Sequence, residues 1–364
     1  MTEREREVYE ILKRNPTIGQ SELAELLHIS RSSAAVHIAN LQKKGYVLGK
    51  GYILNEESYI VGVGAANVDV HGKSRAPIVM KDSNPGSMHS SVGGVTRNVC
   101  ENLSRLGTGV KLISAVGDDV YADMIRRECL AAGIDISGVY TVYGHPSSTY
   151  ISILDEKGDM LVALSDMSVL RSLPKEHLKA YQPTIAGAAA VTCDPSLPVE
   201  LIEYLLDLSP VPVCVDPVST AYAKAVYDLI GRFDTVKPNL MEAEILSDTR
   251  ITDERTLNRA AGRILAKGVK RVLVSMGDKG CFYKDQSGLT LRRALRPVRQ
   301  MVNATGAGDA FMAGFLSRTV AGDTPKQAVD FALGAGIVAL LGENTINEKM
   351  SQALVYQTLK EYSK

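Results

Sequence analysis

An open α/β sheet with helices on both faces, preceded by a small helical unit, is the architecture this sequence predicts, and three observations carry it. From Tyr59 onward, short apolar runs such as "VKLISAVG", "AAVTCD", "VPVCVDP", "DTVKPN" and "KRVLVSMG" alternate with stretches of helical periodicity such as "TRNVCENLSRLG" and "TLNRAAGRILAKG". Alternation of this length implies parallel strands whose crossovers cover both faces of the sheet. Upstream of Tyr59 the pattern is that of short helices, and the 364 residues exceed one typical small domain. Two domains are therefore expected, 1–58 and 59–364.

In the first unit, "REREVYEILKRNP" repeats Val8, Ile11 and Leu12 at helical spacing until Asn15-Pro16 stops it, and "QSELAELLHIS" reads as a second short helix. A third follows Ser30, with Ala35, Ile38 and Leu41 on one side and Arg31, Ser32, His37, Asn40 and Lys44 largely elsewhere, and ends at Gly45. "YVLGKGYIL" then alternates like a small hairpin. Three helices and a hairpin resemble a winged helix-turn-helix module, with the third helix as recognition helix and the Gly49–Gly51 hairpin as wing. Arg31, Lys43, Lys44 and Lys50 with no intervening acid favour DNA as a partner of residues 1–58. A dimerisation or ligand-sensing appendage is the alternative.

In the second unit one segment breaks the rhythm. Residues 149–166, "TYISILDEKGDMLVALSD", alternate with period 2 about a turn near Glu156–Gly158. With residues 72–92 they are expected to form a small sheet over a ligand cleft, a lid and a homodimer surface. Charge is balanced at 41 basic and 41 acidic residues, so no global field points to nucleic acid, membrane or an acidic substrate. Five scattered cysteines without metal-ligand spacing read as core residues of a reduced, cytoplasmic protein. The charged N-terminus has no signal-peptide core, and no apolar run approaches the ~18 residues of a membrane span.

The motifs follow in chain order. "GVGAANVDVHGK" lacks the third glycine of a dinucleotide fingerprint and opens no helix. Asn67 and Asp69 instead fall at the C-terminal end of the first sheet strand, where a carboxylate can accept bonds from vicinal hydroxyls; an ordinary turn carboxylate is the alternative. "SSVGGVTRN" sets Gly93 and Gly94 ahead of Asn98, suited to a close-lying sugar hydroxyl or to an ordinary helix start. "KPNLMEAE" spaces Asn239 and Glu242 one helical turn apart, either to orient waters around Mg²⁺ or to cap a helix. Ser275, Gly277 and Gly280 of "SMGDKG" suit a nucleotide passing over a tight turn, or a hairpin connection. No Walker sequence occurs. In "NATGAGDAFMAGFL", Gly306, Ala307 and Gly308 offer free helix-start amides to an anion, and Asp309 adds a carboxylate where one would repel phosphate. The carboxylate makes sense as a base for an attacking hydroxyl, so cradle and base together suggest phosphoryl transfer.

With these motifs in order, residues from Tyr59 on resemble the ribokinase-like (PfkB-type) sugar and nucleoside kinases. The resemblance implies a three-layer α/β/α sandwich with a small β lid, ATP and Mg²⁺. It implies Asp309 as catalytic base, the amides of Ala307, Gly308 and Asp309 as anion hole, and Asn239 and Glu242 as organisers of Mg²⁺ through water. Ser275, Gly277 and Gly280 would lie beside ATP, and Gly334 and Gly336 would fall near the adenine. "GAANVDVHGKS", "DSNPG" and "STYISILDEKGDMLVALSDM" are similar to the pseudouridine kinase branch. By that likeness Asn67, Asp69, Gly94 and Asn98 would hold the ribose while Ser83, Asn84 and Thr149 bring polar groups to the base. A site that bonds the extra ring N–H of a carbon-linked uracil rejects analogues lacking it. Relatives commonly carry Asp-Thr where Asn303-Ala304 stand, at a position that contributes to a monovalent-cation site, so K⁺ is left open. Another nucleoside or a sugar such as ribose or a ketohexose as acceptor, and a nucleoside-responsive transcription regulator, are the alternative readings.

Overall fold

A computed structural model describes residues 1–49, 58–298, 303 and 305–363. The N-terminal unit is three helices, α1 (Glu3–Arg14), α2 (Gln20–Leu26) and α3 (Arg31–Lys43). Thr2 and Glu5 form a reciprocal capping box at the start of α1. The buried Glu5 also takes Lys44 in an ion pair at 2.6 Å, which ties α1 to the end of α3 and holds the Glu5 carboxyl below its ordinary range. Val8, Leu12, Leu23, Ala34, Ile38 and Leu41 form a separate core. Ala34, not Ala35, completes the buried stripe, because 34, 38 and 41 follow the helical repeat more closely. The wing read at Gly49–Gly51 runs into residues 50–57 and lies outside the described residues.

The second unit begins with β1 (Tyr59–Val63), β2 (Asn67–Ser74), β3 (Gly86–Gly93), α4 (Val95–Arg105), β4 (Gly109–Val116), α5 (Val120–Ala131) and β5 (Asp135–Thr141). It continues through β6 (Thr149–Leu154), β7 (Met160–Asp166), α6 (Lys175–Ala180), α7 (Gln182–Ala186), β8 (Ala190–Cys193), α8 (Val199–Leu208), β9 (Val213–Val215) and α9 (Thr220–Ala225). Then come β10 (Thr235–Val236), α10 (Leu240–Ser247), α11 (Glu254–Ala266), β11 (Arg271–Ser275), β12 (Cys281–Asp285), β13 (Thr290–Arg293), α12 (Ala307–Val320), α13 (Pro325–Leu340) and α14 (Gln352–Tyr362).

Among the described residues the main sheet runs β13-β12-β11-β10-β9-β8-β1-β4-β5, parallel from β11 to β5 and antiparallel at β12 and β13. Side chains alternate across it, so Val61, Val63, Ile113 and Ala115 join a core with α8, α10 and α11. Ile60, Leu112 and Val116 join one with α4, α5, α12 and α13 on the opposite face. That is the expected three-layer sandwich. The first sheet strand, expected to end at Asn67 and Asp69, ends at Val63: the chain breaks at residues 64–66, and β2 crosses into a second sheet of order β3-β2-β6-β7. Asn67 and Asp69 thus lie on the small sheet rather than at the end of a main-sheet strand.

The N-terminal unit packs on this body through α3 and α7. Gly45 lies so close to Pro183 and Gly187 that a Cβ would collide with their backbones. All five cysteines are buried and free, and no described helix is long and apolar enough to cross a membrane.

Candidate active site

Gly306 sets the geometry at the start of α12. Its φ of +81° is a left-handed conformation open to glycine at little cost, and a Cβ would overlap the Thr345 carbonyl. No side chain caps this turn, so the first amides of α12 have no acceptor within the helix. Gly308 is exposed, and Lys237 Nζ lies 3.5 Å from the point a Cβ of Gly308 would occupy.

Asp309 is one residue further along, and Asn98 Nδ2 of α4 donates to its Oδ2 at 2.9 Å. Protein surrounds the carboxylate on most sides, and that burial is the main cause that raises its pKa to about 7. The charge of Asp216 pushes in the same direction, and Asn98 and Lys237 oppose it. A carboxylate poised near neutrality is suited to taking a proton.

On the small sheet Asn67 Nδ2 donates to Asp69 Oδ1 at 2.6 Å, and burial again raises the carboxyl pKa. Gly93 lies opposite Asn67 in the sheet, and a Cβ there would collide with the Asp69 carboxylate. Gly94, at φ +101°, passes against the Ala65 carbonyl and opens α4. Thr149 pairs with Val68 across the strands, with its hydroxyl on the Ser147 carbonyl at 3.1 Å. Ser83 and Asn84 sit between β2 and β3, where Ser83 is exposed and Asn84 spends its carboxamide on Val79 and Asp82 of the same loop.

Asn239 and Glu242 form a complete capping box on α10. Asn239 Oδ1 accepts from the Glu242 N–H at 2.9 Å, and the Glu242 oxygens accept from the Asn239 N–H and Nδ2, each at 2.8 Å. Burial raises the Glu242 carboxyl pKa. Among the described residues no cluster of three ligating side chains can cage a metal. The donor set therefore fits Mg²⁺ that keeps its waters and substrate oxygens, since each Glu242 oxygen retains acceptor capacity toward water. Ser275 bridges to Asn239, so the two motifs meet at one sheet edge. Gly277 and Gly280 form the turn of the β11–β12 hairpin.

Residues 57–352 match the pfkB family carbohydrate kinase model, and residues 1–47 match a winged helix-turn-helix DNA-binding model. The chain belongs to the pfkB family of carbohydrate kinases. It is 34 % identical over 352 residues to the uncharacterized sugar kinase YeiI of Escherichia coli strain K12, covering 96 % of this chain and 97 % of that one. It is 36 % identical over 304 residues to the pseudouridine kinase of the same organism, covering 83 % and 96 %. The Arabidopsis thaliana ribokinase complexed with ribose and ATP superposes with a TM-score of 0.71 at 21 % identity, over 84 % of this chain and 99 % of that one, a likeness of fold. An E. coli protein of this fold, solved in complex with ATP and Mg²⁺, superposes with a TM-score of 0.72 at 18 % identity, over 84 % of this chain and 99 % of that one, again a likeness of fold.

The pfkB kinase domain also holds groups that sequence reasoning missed. Lys237 Nζ donates to Asp216 Oδ2 at 2.8 Å, with both side chains buried. Burial alone would lower the lysine pKa, but the Asp216 charge and hydrogen bond raise it. Asp194 is fully buried and accepts from the Ala65 N–H at 2.9 Å and the Thr96 hydroxyl at 2.6 Å, which fixes the β1–β2 crossover to the start of α4. A signal was available: Asp194, Asp216 and Lys237 each follow a strand directly, at the carboxyl edge where open α/β sheets bind ligands. Gly336 packs on the Ala307 carbonyl and Phe311, whereas Gly334 packs on Val355 and Leu359 of α14.

Proposed function

We propose that this kinase phosphorylates the 5′-hydroxyl of a nucleoside, pseudouridine, with ATP as donor. The observation that carries the reading is Asp309 beside the open amides of α12, with Asn98 donating to it and Lys237 at its flank. The 36 % identity to a pseudouridine kinase supports the choice of acceptor.

In this reading Asn67, Asp69, Gly93, Gly94 and Asn98 hold the ribose, and Asp309 takes the proton of its 5′-hydroxyl. The amides of Ala307, Gly308 and Asp309, with Lys237, neutralise charge on the transferring phosphoryl oxygens, the largest contribution expected in phosphoryl transfer. Asn239 and Glu242 orient the waters of Mg²⁺, which when bound draws charge from the donor phosphates. Ser275, Gly277, Gly280 and Gly336 border the nucleotide. The small sheet closes as a lid, bringing Ser83, Asn84 and Thr149 toward the base; Asn84 must then release Val79 and Asp82.

The same reading divides the chain at residue 58, places the enzyme in the cytoplasm and assigns residues 1–58 to DNA. Met88, Ile151, Val162 and Leu164 share one exposed face of the small sheet, which supports a homodimer through that face. ATP consumption with pseudouridine, uridine, cytidine, adenosine and ribose tests the acceptor. Preference for pseudouridine supports this proposal, and preference for another acceptor rejects the branch while keeping the kinase. Silence with all five, together with DNA binding that responds to a nucleoside, points to a regulator.

A further inference from the structure

We infer that Arg97 is a positioning residue that turns the Asn98 carboxamide so that its NH₂, not its carbonyl, meets Asp309. The inference rests on the reading of Asp309 as base. Arg97 is 4 % exposed on α4, beside the catalytic asparagine in sequence and on its far side in space. Its Nη1 donates to Asn98 Oδ1 at 3.3 Å and to the Val92 carbonyl at 3.2 Å. Its Nη2 pairs with Glu101, whose other oxygen accepts from Arg105 Nε at 2.8 Å, so the guanidinium is anchored from behind.

A guanidinium only donates, and an ionised carboxylate only accepts. Asn98 stands between one of each, so a single orientation satisfies both: carbonyl toward Arg97, NH₂ toward Asp309. The reversed amide would place two donors together on one side and two acceptors together on the other. Asn102 Nδ2 holds the Asn98 backbone carbonyl at 2.9 Å, which keeps the residue in place while its side chain is oriented.

The groups facing Asp309 from the surrounding elements are Asp194 after β8, Asp216 after β9 and Lys237 after β10. From the helices, α4 supplies Asn98, and Gly336 of α13 reaches the first turn of α12. Two of the three charges are negative, so the Asn98 donor is a principal stabiliser of the ionised base. Loss of its orientation makes Asp309 harder to ionise without altering any group that contacts ATP.

Carbon-13 labelling of aspartate, with Asp309→Asn to assign the signal, reads the Asp309 titration directly and without an acceptor. Arg97→Met is expected to move that titration upward by about one pH unit, the scale of losing one hydrogen bond to the charged form. The shift should vanish in an Asn98→Ala background, because Arg97 acts through Asn98. An unmoved titration in folded Arg97→Met overturns the inference, as does an equal shift in the Asn98→Ala background, which would mean a through-space charge effect. If Arg97→Met does not fold, the Arg97→Met/Glu101→Gln pair, which removes both buried charges and leaves no donor at position 97, is judged by the same criteria. Normal turnover by Asp309→Asn would reject the base while leaving the effect of Arg97 on the titration intact.

Discussion

Lys237 and Asp216 form a buried ion pair, 2.8 Å from Nζ to Oδ2, at the carboxyl ends of two adjacent strands. Removing one member of such a pair strands a charge in protein. Lys237→Met is expected to cost roughly 3–5 kcal/mol in urea unfolding, and Lys237→Met/Asp216→Asn to regain most of it. Turnover should stay low in both, because neither restores a cation beside Gly308. Full activity in the double variant would remove Lys237 from the proposed phosphate site.

Asp309→Asn should lower kcat by about 10²-fold or more while ATP binding persists, as expected on losing a general base. In the wild type, kcat/KM should fall about tenfold per pH unit below about 7, where Asp309 becomes protonated. Stability has a worked sign. The native carboxyl pKa is raised, so the folded state binds more protons than the unfolded one between the unfolded value and about 7, and stability is lost as pH rises through that window. Asp309→Asn should therefore raise Tm at pH 8, by an amount that shrinks toward pH 4. A Tm increase independent of pH would contradict the raised pKa.

Gly306→Ala tests the cradle. A Cβ would meet the Thr345 carbonyl, and the left-handed backbone adds about 1–2 kcal/mol of strain for a residue with a side chain. Calorimetry should show a lower Tm, and ATP consumption should fall more than stability alone explains. Gly322→Ala, with the same backbone sign and open space around it, is the control: it should destabilise without loss of turnover.

Asn303 bears on the cation question. Its Nδ2 donates to the Glu343 carbonyl at 3.2 Å, and its Oδ1 accepts from the Thr305 N–H at 2.9 Å. The carboxamide is held by both neighbours and brings no negative charge to balance a cation, so replacing K⁺ by a tetraalkylammonium salt at constant ionic strength should change turnover by less than about twofold. A tenfold loss would show that a monovalent cation binds despite that amide.

The sequence by itself determined the parts of the site that local chain geometry encodes. Small residues ahead of Asp309 mark a close-approach loop into a helix, Asn239 and Glu242 mark a helix start, and short apolar runs mark strands, because caps, turns and periodicity depend on residues within one or two turns of each other. What lay beyond that range was decided by the tertiary structure. The residues from Tyr59 to Val70 are nearly all apolar or small and hold no proline or turn pair, so the pairing of β2 with β3 and β6 is what reveals that the chain leaves the main sheet and carries Asp69 with it. Asn98 and Asp309 are 211 positions apart and meet because α4 and α12 cover the same face. Lys237, Asp216 and Asp194 each follow a strand, and strand order is what puts them beside one carboxylate. The pKa of Asp309 follows from that assembly, since desolvation and opposing charges act through space and leave no mark on the neighbouring sequence.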